Sequence, residues 1–155
     1  FGTYHDDVVD VLRTLGLVYA RTVESSRGFV IPRDWLRLRP TCHHDDPELM
    51  ALLHRFLSPD AGGEARLFYL WGHSYEFEQH DNWEVIERFA QAAGGRKDVW
   101  YATNFEVHDY IWAYHQLRFS ADGLIVHNPT AATIWLKADR QELVLTPGET
   151  LKIDR

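Results

Sequence analysis

Histidines beside acidic or aromatic residues are the best candidates in this sequence for catalysis or metal binding. Imidazole exchanges protons near neutral pH, and together with carboxylate it suits zinc. His73 follows an apolar run at residues 66–71, which predicts a buried strand. Barrel enzymes carry catalytic groups just beyond the carboxyl ends of their strands. The position of His73 allows a catalytic role, but on position alone a capping or packing histidine in a loop is favoured.

A second group, His-His-Asp-Asp at residues 43–46, is a weaker candidate for metal binding. Adjacent side chains usually point apart, and one of the two aspartates is needed to cap the helix that follows. We therefore expect no metal site from this run alone. His43 and His44 stay candidates only within a site assembled with other parts of the fold.

Composition excludes several classes of protein. The 155 residues are 45% hydrophobic, enough for the core of one domain or of a large piece of one. A net charge of −7 argues against nucleic-acid binding, and no apolar run approaches the roughly 20 residues that span a membrane. The single cysteine, Cys42, permits no intrachain disulfide and slightly favours a cytoplasmic location. We expect it to be a buried, inert thiol.

Helical and strand patterns alternate over residues 1–116, which predicts an α/β fold with parallel strands. Expected helices begin at a Thr3–Asp6 capping box, at the Asp-Asp-Pro-Glu sequence 45–48, at Asn82 and at Asn104. The expected strands in this part are residues 17–23, 66–71 and 99–103, with a possible short strand at 29–31.

The remaining residues, 117–155, predict an antiparallel β extension. Asp122-Gly123 is a hairpin signal between two β-rich runs. Further short strands are expected at residues 133–137, 142–145 and 151–153. The chain thus divides after residue 116 into an α/β part and a β-strand extension.

Three segments of the sequence form a recognisable set: Phe-Gly-Thr-Tyr at residues 1–4, a stretch ending in Asp-Trp at residues 29–35, and the residues 71–78 around His73. They resemble motifs of the polysaccharide deacetylase family, whose domain is called the NodB homology domain. Residues 1–4 are similar to the end of its Pro-Phe-Gly motif, and residues 29–35 to its Asp-Trp motif. The octapeptide Trp-Gly-His-Ser-Tyr-Glu-Phe-Glu at residues 71–78 resembles its late histidine motif and is the most specific part. Residues 40–44 and 100–104 resemble one bacterial branch, so the resemblance covers roughly residues 1–120.

The resemblance implies the C-terminal βα units of a distorted (β/α) barrel. It also implies a divalent metal, with zinc preferred, and removal of acetyl groups from the amide nitrogens of saccharides. In this interpretation His73 protonates the leaving amine, Asp34 orients His73, and Trp35 forms a wall of the acetyl pocket. Trp71 and Tyr75 are the further substrate-binding candidates.

The sequence departs from the family pattern in its metal ligands. The family's Asp-Asp pair and His-x-x-x-His motif precede the Phe-Gly motif, and no His-x-x-x-His occurs in this sequence. We therefore expect these residues alone to be inactive and to need a missing N-terminal half. The alternative is a non-catalytic carbohydrate-binding or scaffold domain that self-associates to cover the open edge of its sheet.

Overall fold

The chain forms a mixed α/β structure with five helices and small sheets, as described by a computed structural model for residues 2–59, 64–138 and 141–154. It divides into two compact units, Phe1–Trp100 and Tyr101–Arg155. The described strands form one parallel pair, one antiparallel group of three and one antiparallel pair. The general α/β class predicted from the sequence is therefore confirmed.

The first unit is organised around two short parallel strands, β1 (Cys42–His43) and β2 (Leu70–Trp71). Cys42 lies opposite Leu70, and His43 lies opposite Trp71. The predicted strand at 66–71 is therefore confirmed in its last two residues, whereas β1 was not predicted. Because the strands are parallel, their carboxyl ends lie side by side and their following residues meet at one edge.

Four helices accompany this pair of strands. Gly16 has a φ of 76°, which ends the first helix as predicted. The four helices are α1 (Asp6–Thr14), α2 (Leu49–Phe56), α3 (Ser74–His80) and α4 (Glu84–Ala93).

The apolar face of α2 supplies much of the core of this unit. Leu49, Leu52 and Leu53 are buried, as their helical spacing predicts. Leu49 and Leu52 pack with Cys42 of β1, so the helix covers the strand whose end carries His43. The partly buried residues around this cluster are Phe29, Phe68, Leu70, Val85 and Phe89.

Several sequence expectations for the first unit are corrected. The Thr3–Asp6 capping box does not form, because His5 is the cap of α1 and makes no side-chain cap bond. The strand expected at residues 17–23 is reduced to one parallel bridge between Arg21 and Leu38. Residues 99–103 form no strand, and α3 was not predicted.

The second unit contains α5 (Asn104–His115) and the antiparallel strands. The predicted hairpin is confirmed, with Gly123 at a φ of 71° in its turn. The strands are β3 (Arg118–Phe119), β4 (Ile125–His127), β5 (Ile134–Ala138), β6 (Gln141–Leu145) and β7 (Thr150–Lys152). Val126, Leu145 and Ile153 form its buried cluster.

Helix α5 belongs with these strands rather than with the preceding helices. The Tyr110 hydroxyl donates to the Trp135 carbonyl at 3.2 Å and accepts the Trp135 N–H at 3.0 Å. The units accordingly divide between Trp100 and Tyr101, whereas the sequence pattern places a boundary after residue 116.

Replacing Thr103 by Ala is expected to lower the free energy of unfolding of the second unit by about 1 kcal/mol. Thr103, rather than the predicted Asn104, caps α5: its hydroxyl accepts the Glu106 N–H, and the Glu106 carboxylate accepts the Thr103 N–H at 2.7 Å. Urea denaturation measures the change. Thr3→Ala is the matched control and should be neutral, because Thr3 caps no helix. Equal losses in both variants would contradict the assigned cap.

Candidate functional site

The candidate site lies at the carboxyl ends of β1 and β2. His43 and Trp71 are the last residues of the two strands, and His44 and His73 follow them closely. The His44 N–H donates to the Trp71 carbonyl at 2.9 Å, which keeps the two departing chains together. The parallel pairing thus unites two histidine segments that lie far apart in the sequence.

Glu76, in the first turn of α3, connects these histidines. Its Oε1 lies 3.2 Å from His73 Nδ1, and its Oε2 lies 3.2 Å from His43 Nε2. Oε2 also accepts the His73 N–H at 2.9 Å. That backbone hydrogen bond is the main reason why the pKa of Glu76 is lowered, with the His73 and His43 side chains adding to the effect.

Glu76 is a site residue that the sequence reasoning missed. It stands three residues after His73, the spacing at which a carboxylate in the first helical turn accepts the N–H of the helix cap. Recognising His73 as a helix cap would have predicted α3 and this contact together.

His44 is buried, with 2% of its surface exposed. Its ring packs on Phe77 with 4.2 Å between ring centroids and also lies against Gly72. Nε2 makes no hydrogen bond of acceptable geometry, although Asp45 Oδ1 lies 3.1 Å away and Glu76 Oε2 lies 3.6 Å away. Burial lowers the pKa of His44, and proximity to His43 lowers it further.

His43 and His44 converge, which corrects the expectation that adjacent side chains point apart. Their ring centroids are 4.2 Å apart, and the rings are inclined at 34°. His43 Nδ1 accepts the Asp45 N–H at 3.2 Å. The turn that follows β1 breaks the alternation of sides typical of a strand, so both rings face the same cluster.

The cluster contains two groups of possible metal ligands. His43, His73 and Glu76 form one, and His43, His44 and Asp45 form the other, each with ligand atoms within 4.8 Å of one another. Imidazole and carboxylate are ligands that zinc accepts. The buried His44 nitrogen without a good hydrogen bond also fits a cation, so the chemistry of the donors is compatible with the metal that the resemblance implies.

Aromatic rings flank His73. Tyr75 stacks on it with centroids 5.1 Å apart, and Trp71 meets it edge-on at 5.8 Å. The Arg21 guanidinium also packs on Trp71, 4.1 Å from its ring centroid. The His73 side chain remains 47% exposed and Tyr75 is 57% exposed, so both are accessible to a solute.

Asp34 and Trp35 lie in a different local structure. Asp34 caps a 3-10 turn at Trp35–Arg37, where it accepts the Leu36 N–H at 3.1 Å and pairs with Arg37. Within the described ranges, no Asp34–His73 contact is found, and the carboxylate beside His73 Nδ1 is that of Glu76. The structure brings together His73, Trp71 and Tyr75, but not Asp34, among the residues carried over from the family motifs.

Cys42 is expected to resist a thiol reagent such as Ellman's reagent in the folded protein at neutral pH. Its surface is 0% exposed, and burial raises the pKa of its thiol to about 11, which leaves almost no reactive thiolate. The time course of colour release measures the reaction. Denaturant should make it fast, and rapid reaction without denaturant would contradict the buried position of Cys42.

Comparison with known proteins gives no match: no protein-family model, curated protein or solved structure is similar enough to this chain to count as one. The part of the chain that the structure describes also contains no helix long and apolar enough to cross a membrane. The function of the site is therefore inferred from its own geometry and from the motifs of the sequence.

Proposed function

We propose that the chain contributes to hydrolysis of acetyl amides on saccharides, as the C-terminal part of a metal-dependent deacetylase with a distorted (β/α) barrel. The position of His73 carries this proposal. Its half-exposed ring lies just beyond the carboxyl end of β2, with Nδ1 beside the carboxylate of Glu76. Parallel barrels place catalytic groups at such strand ends, and the octapeptide at residues 71–78 supports the same family.

His73 is the general acid in this proposal. An amide nitrogen leaves as an amine only when it receives a proton, because its anion is too basic to depart at neutral pH. Glu76 holds Nδ1, which leaves Nε2 of His73 to carry a proton toward the substrate. Because the pKa of Glu76 is lowered, its carboxylate stays ionised and stabilises the imidazolium. Glu76 is thus the positioning residue, in place of Asp34.

Tyr75 and Trp71 provide apolar surface for the saccharide. The faces of sugar rings carry C–H groups that pack against aromatic rings, while their edges carry hydroxyls. Tyr75 extends the accessible surface of His73, so a sugar bound against Tyr75 would keep its acetamido group close to the acid. Trp35 as a wall of the acetyl pocket stays a prediction of the resemblance.

The family's metal-ligand motifs are not found among these residues, so other side chains of this chain would have to hold a metal. A divalent metal, when bound, would supply a water of lowered pKa for attack on the amide carbon. Two groups of donors in this chain are close enough together to hold such an ion, His43 with His73 and Glu76, and His43 with His44 and Asp45. In this proposal His73 and Glu76 act on the departing amine.

The test is acetate release from N-acetylglucosamine oligomers and from acetylated xylan. It uses the intact natural polypeptide that carries residues 1–155, because the family places further ligands outside them. Zinc-dependent release that a chelator abolishes and added zinc restores is the expected result. Saccharide binding without acetate release, unaffected by the chelator, would reject hydrolysis and favour the non-catalytic carbohydrate-binding domain.

A further inference from the structure

We propose that His43, His44 and Asp45 bind one divalent transition-metal ion of the zinc class at the carboxyl end of β1. This goes beyond the proposed function, because the ligands are side chains of this chain and not those of the family motifs. It depends on the geometry of three neighbouring residues and holds whether or not the protein removes acetyl groups.

The distances between donor atoms suit such an ion. One ring nitrogen from each histidine and one carboxylate oxygen lie within 4.8 Å of one another, and His44 Nε2 is 3.1 Å from Asp45 Oδ1. Two ligands of a tetrahedral zinc ion, with bonds of 2.0–2.1 Å, are about 3.4 Å apart. The Asp45 side chain is 36% exposed and can rotate to close the wider separations.

The buried nitrogen of His44 is the second observation that points to a ligand. Its residue is 2% exposed, and Nε2 lacks a hydrogen bond of acceptable geometry even though two carboxylates are close. Buried polar groups are normally satisfied, since an unsatisfied one loses its interaction with water without replacement. A metal ion between Nε2 and the Asp45 oxygen would satisfy both donor atoms.

The surroundings hold the ligands in place and favour a cation. Phe77 and Gly72 confine the His44 ring, which limits its rotation. His80 Nδ1 lies 3.4 Å from the second oxygen of Asp45, the type of outer contact that orients a ligating carboxylate. Glu76 Oε2, 3.6 Å from His44 Nε2, adds a second negative charge beside the site.

The alternative group of His43, His73 and Glu76 is less suited to the ion. Glu76 Oε2 already accepts the His73 N–H, and Glu76 Oε1 already lies beside His73 Nδ1. Both Glu76 oxygens therefore have partners without a metal, whereas the buried His44 Nε2 has no hydrogen bond. The unsatisfied donor identifies the trio that includes His44 and Asp45.

The experiment compares zinc content and affinity between the intact protein and single variants. After dialysis against Zn²⁺, elemental analysis should show that Asp45→Asn and His44→Gln each contain one zinc ion per chain fewer than the original protein. Any residual affinity of Asp45→Asn, measured by competition with a chromophoric chelator, should be at least about tenfold weaker. Visible absorption of the Co²⁺ form should be lost in the same variants.

Two further variants define the site. His54→Gln, on the exposed face of α2, is the matched control and should keep all of the zinc. Loss of zinc in His73→Gln together with its retention in Asp45→Asn would overturn the assigned trio. Circular dichroism verifies that each variant is folded, and Asp45→Asn preserves the size of a partly exposed side chain.

The two proposals fail separately. Equal zinc content in the original protein and in Asp45→Asn, with His73-dependent acetate release still present, would overturn this metal site and leave the proposed function standing. If Asp45→Asn loses zinc and the original protein releases no acetate, the metal site is supported and the proposed hydrolase is rejected.

Discussion

Replacing His73 by Gln is expected to slow acetate release by about 10²–10⁴-fold, the usual contribution of a general acid or base. Glutamine approximates the size of the ring but cannot become a cationic proton donor at neutral pH. The amine would then have to leave with a proton taken from water. The measurement is kcat on N-acetylglucosamine oligomers at saturating substrate, with zinc present throughout.

Carboxylate variants distinguish the role of Glu76 from that of Asp34. Glu76→Gln is expected to lower kcat with little change in KM, because the carboxylate stabilises the imidazolium without contacting the substrate. Asp34→Asn should retain kcat, since Asp34 is engaged with Leu36 and Arg37. His54→Gln controls for the loss of an exposed histidine. Unchanged kcat in His73→Gln would remove His73 from the reaction.

Elements with a strong local pattern could be predicted from the sequence. The leucine spacing of α2 directs its buried face toward the core, and the Asp122-Gly123 turn accounts for the hairpin of β3 and β4. In both cases the decisive interactions lie within a few residues of each other along the chain. The helix and the hairpin therefore form where the leucine spacing and the Asp-Gly turn predict them.

Elements that depend on distant partners could not be predicted. β1 is two residues long, and it exists because Cys42 and His43 pair with Leu70 and Trp71. The run at residues 17–23 has good strand composition but gains only the bridge from Arg21 to Leu38. Strand propensity describes how a segment fits a sheet and does not say whether a neighbouring strand is present.

The candidate site was partly predictable for the same reason. His73 could be located because an apolar run ends shortly before it, and the end of a strand is a local signal. The contacts of Glu76 with His43 and of His44 with Glu76 depend on parallel pairing, so the spacing of these residues did not reveal them. The convergence of His43 and His44 depends on a turn whose sequence, His-Asp, carries no Gly or Pro signal.

Gly72 in the octapeptide leads to the second large prediction. A Cβ built on Gly72 would overlap the His44 ring, with Nδ1 as the nearest atom, Cε1 2.5 Å away and Cγ 2.9 Å away. The ring cannot move away easily, because it is buried and packed on Phe77. Gly72→Ala is therefore expected to lower the free energy of unfolding by about 1–3 kcal/mol, the usual cost of overpacking a core. It should also weaken zinc binding, since His44 must shift.

Urea denaturation of matched variants separates this steric effect from the general effect of replacing a glycine. Gly28→Ala is the control, because its nearest contact would be an ordinary 3.8 Å. Gly28→Ala should leave the free energy of unfolding unchanged or raise it by about 0.4–1 kcal/mol, because alanine restricts the unfolded chain more than glycine does. In a His44→Ala background, where the ring is gone, Gly72→Ala should cost far less than in the original protein. An equal cost in both backgrounds would show that Gly72 is needed for its backbone and not for the space that it leaves to His44.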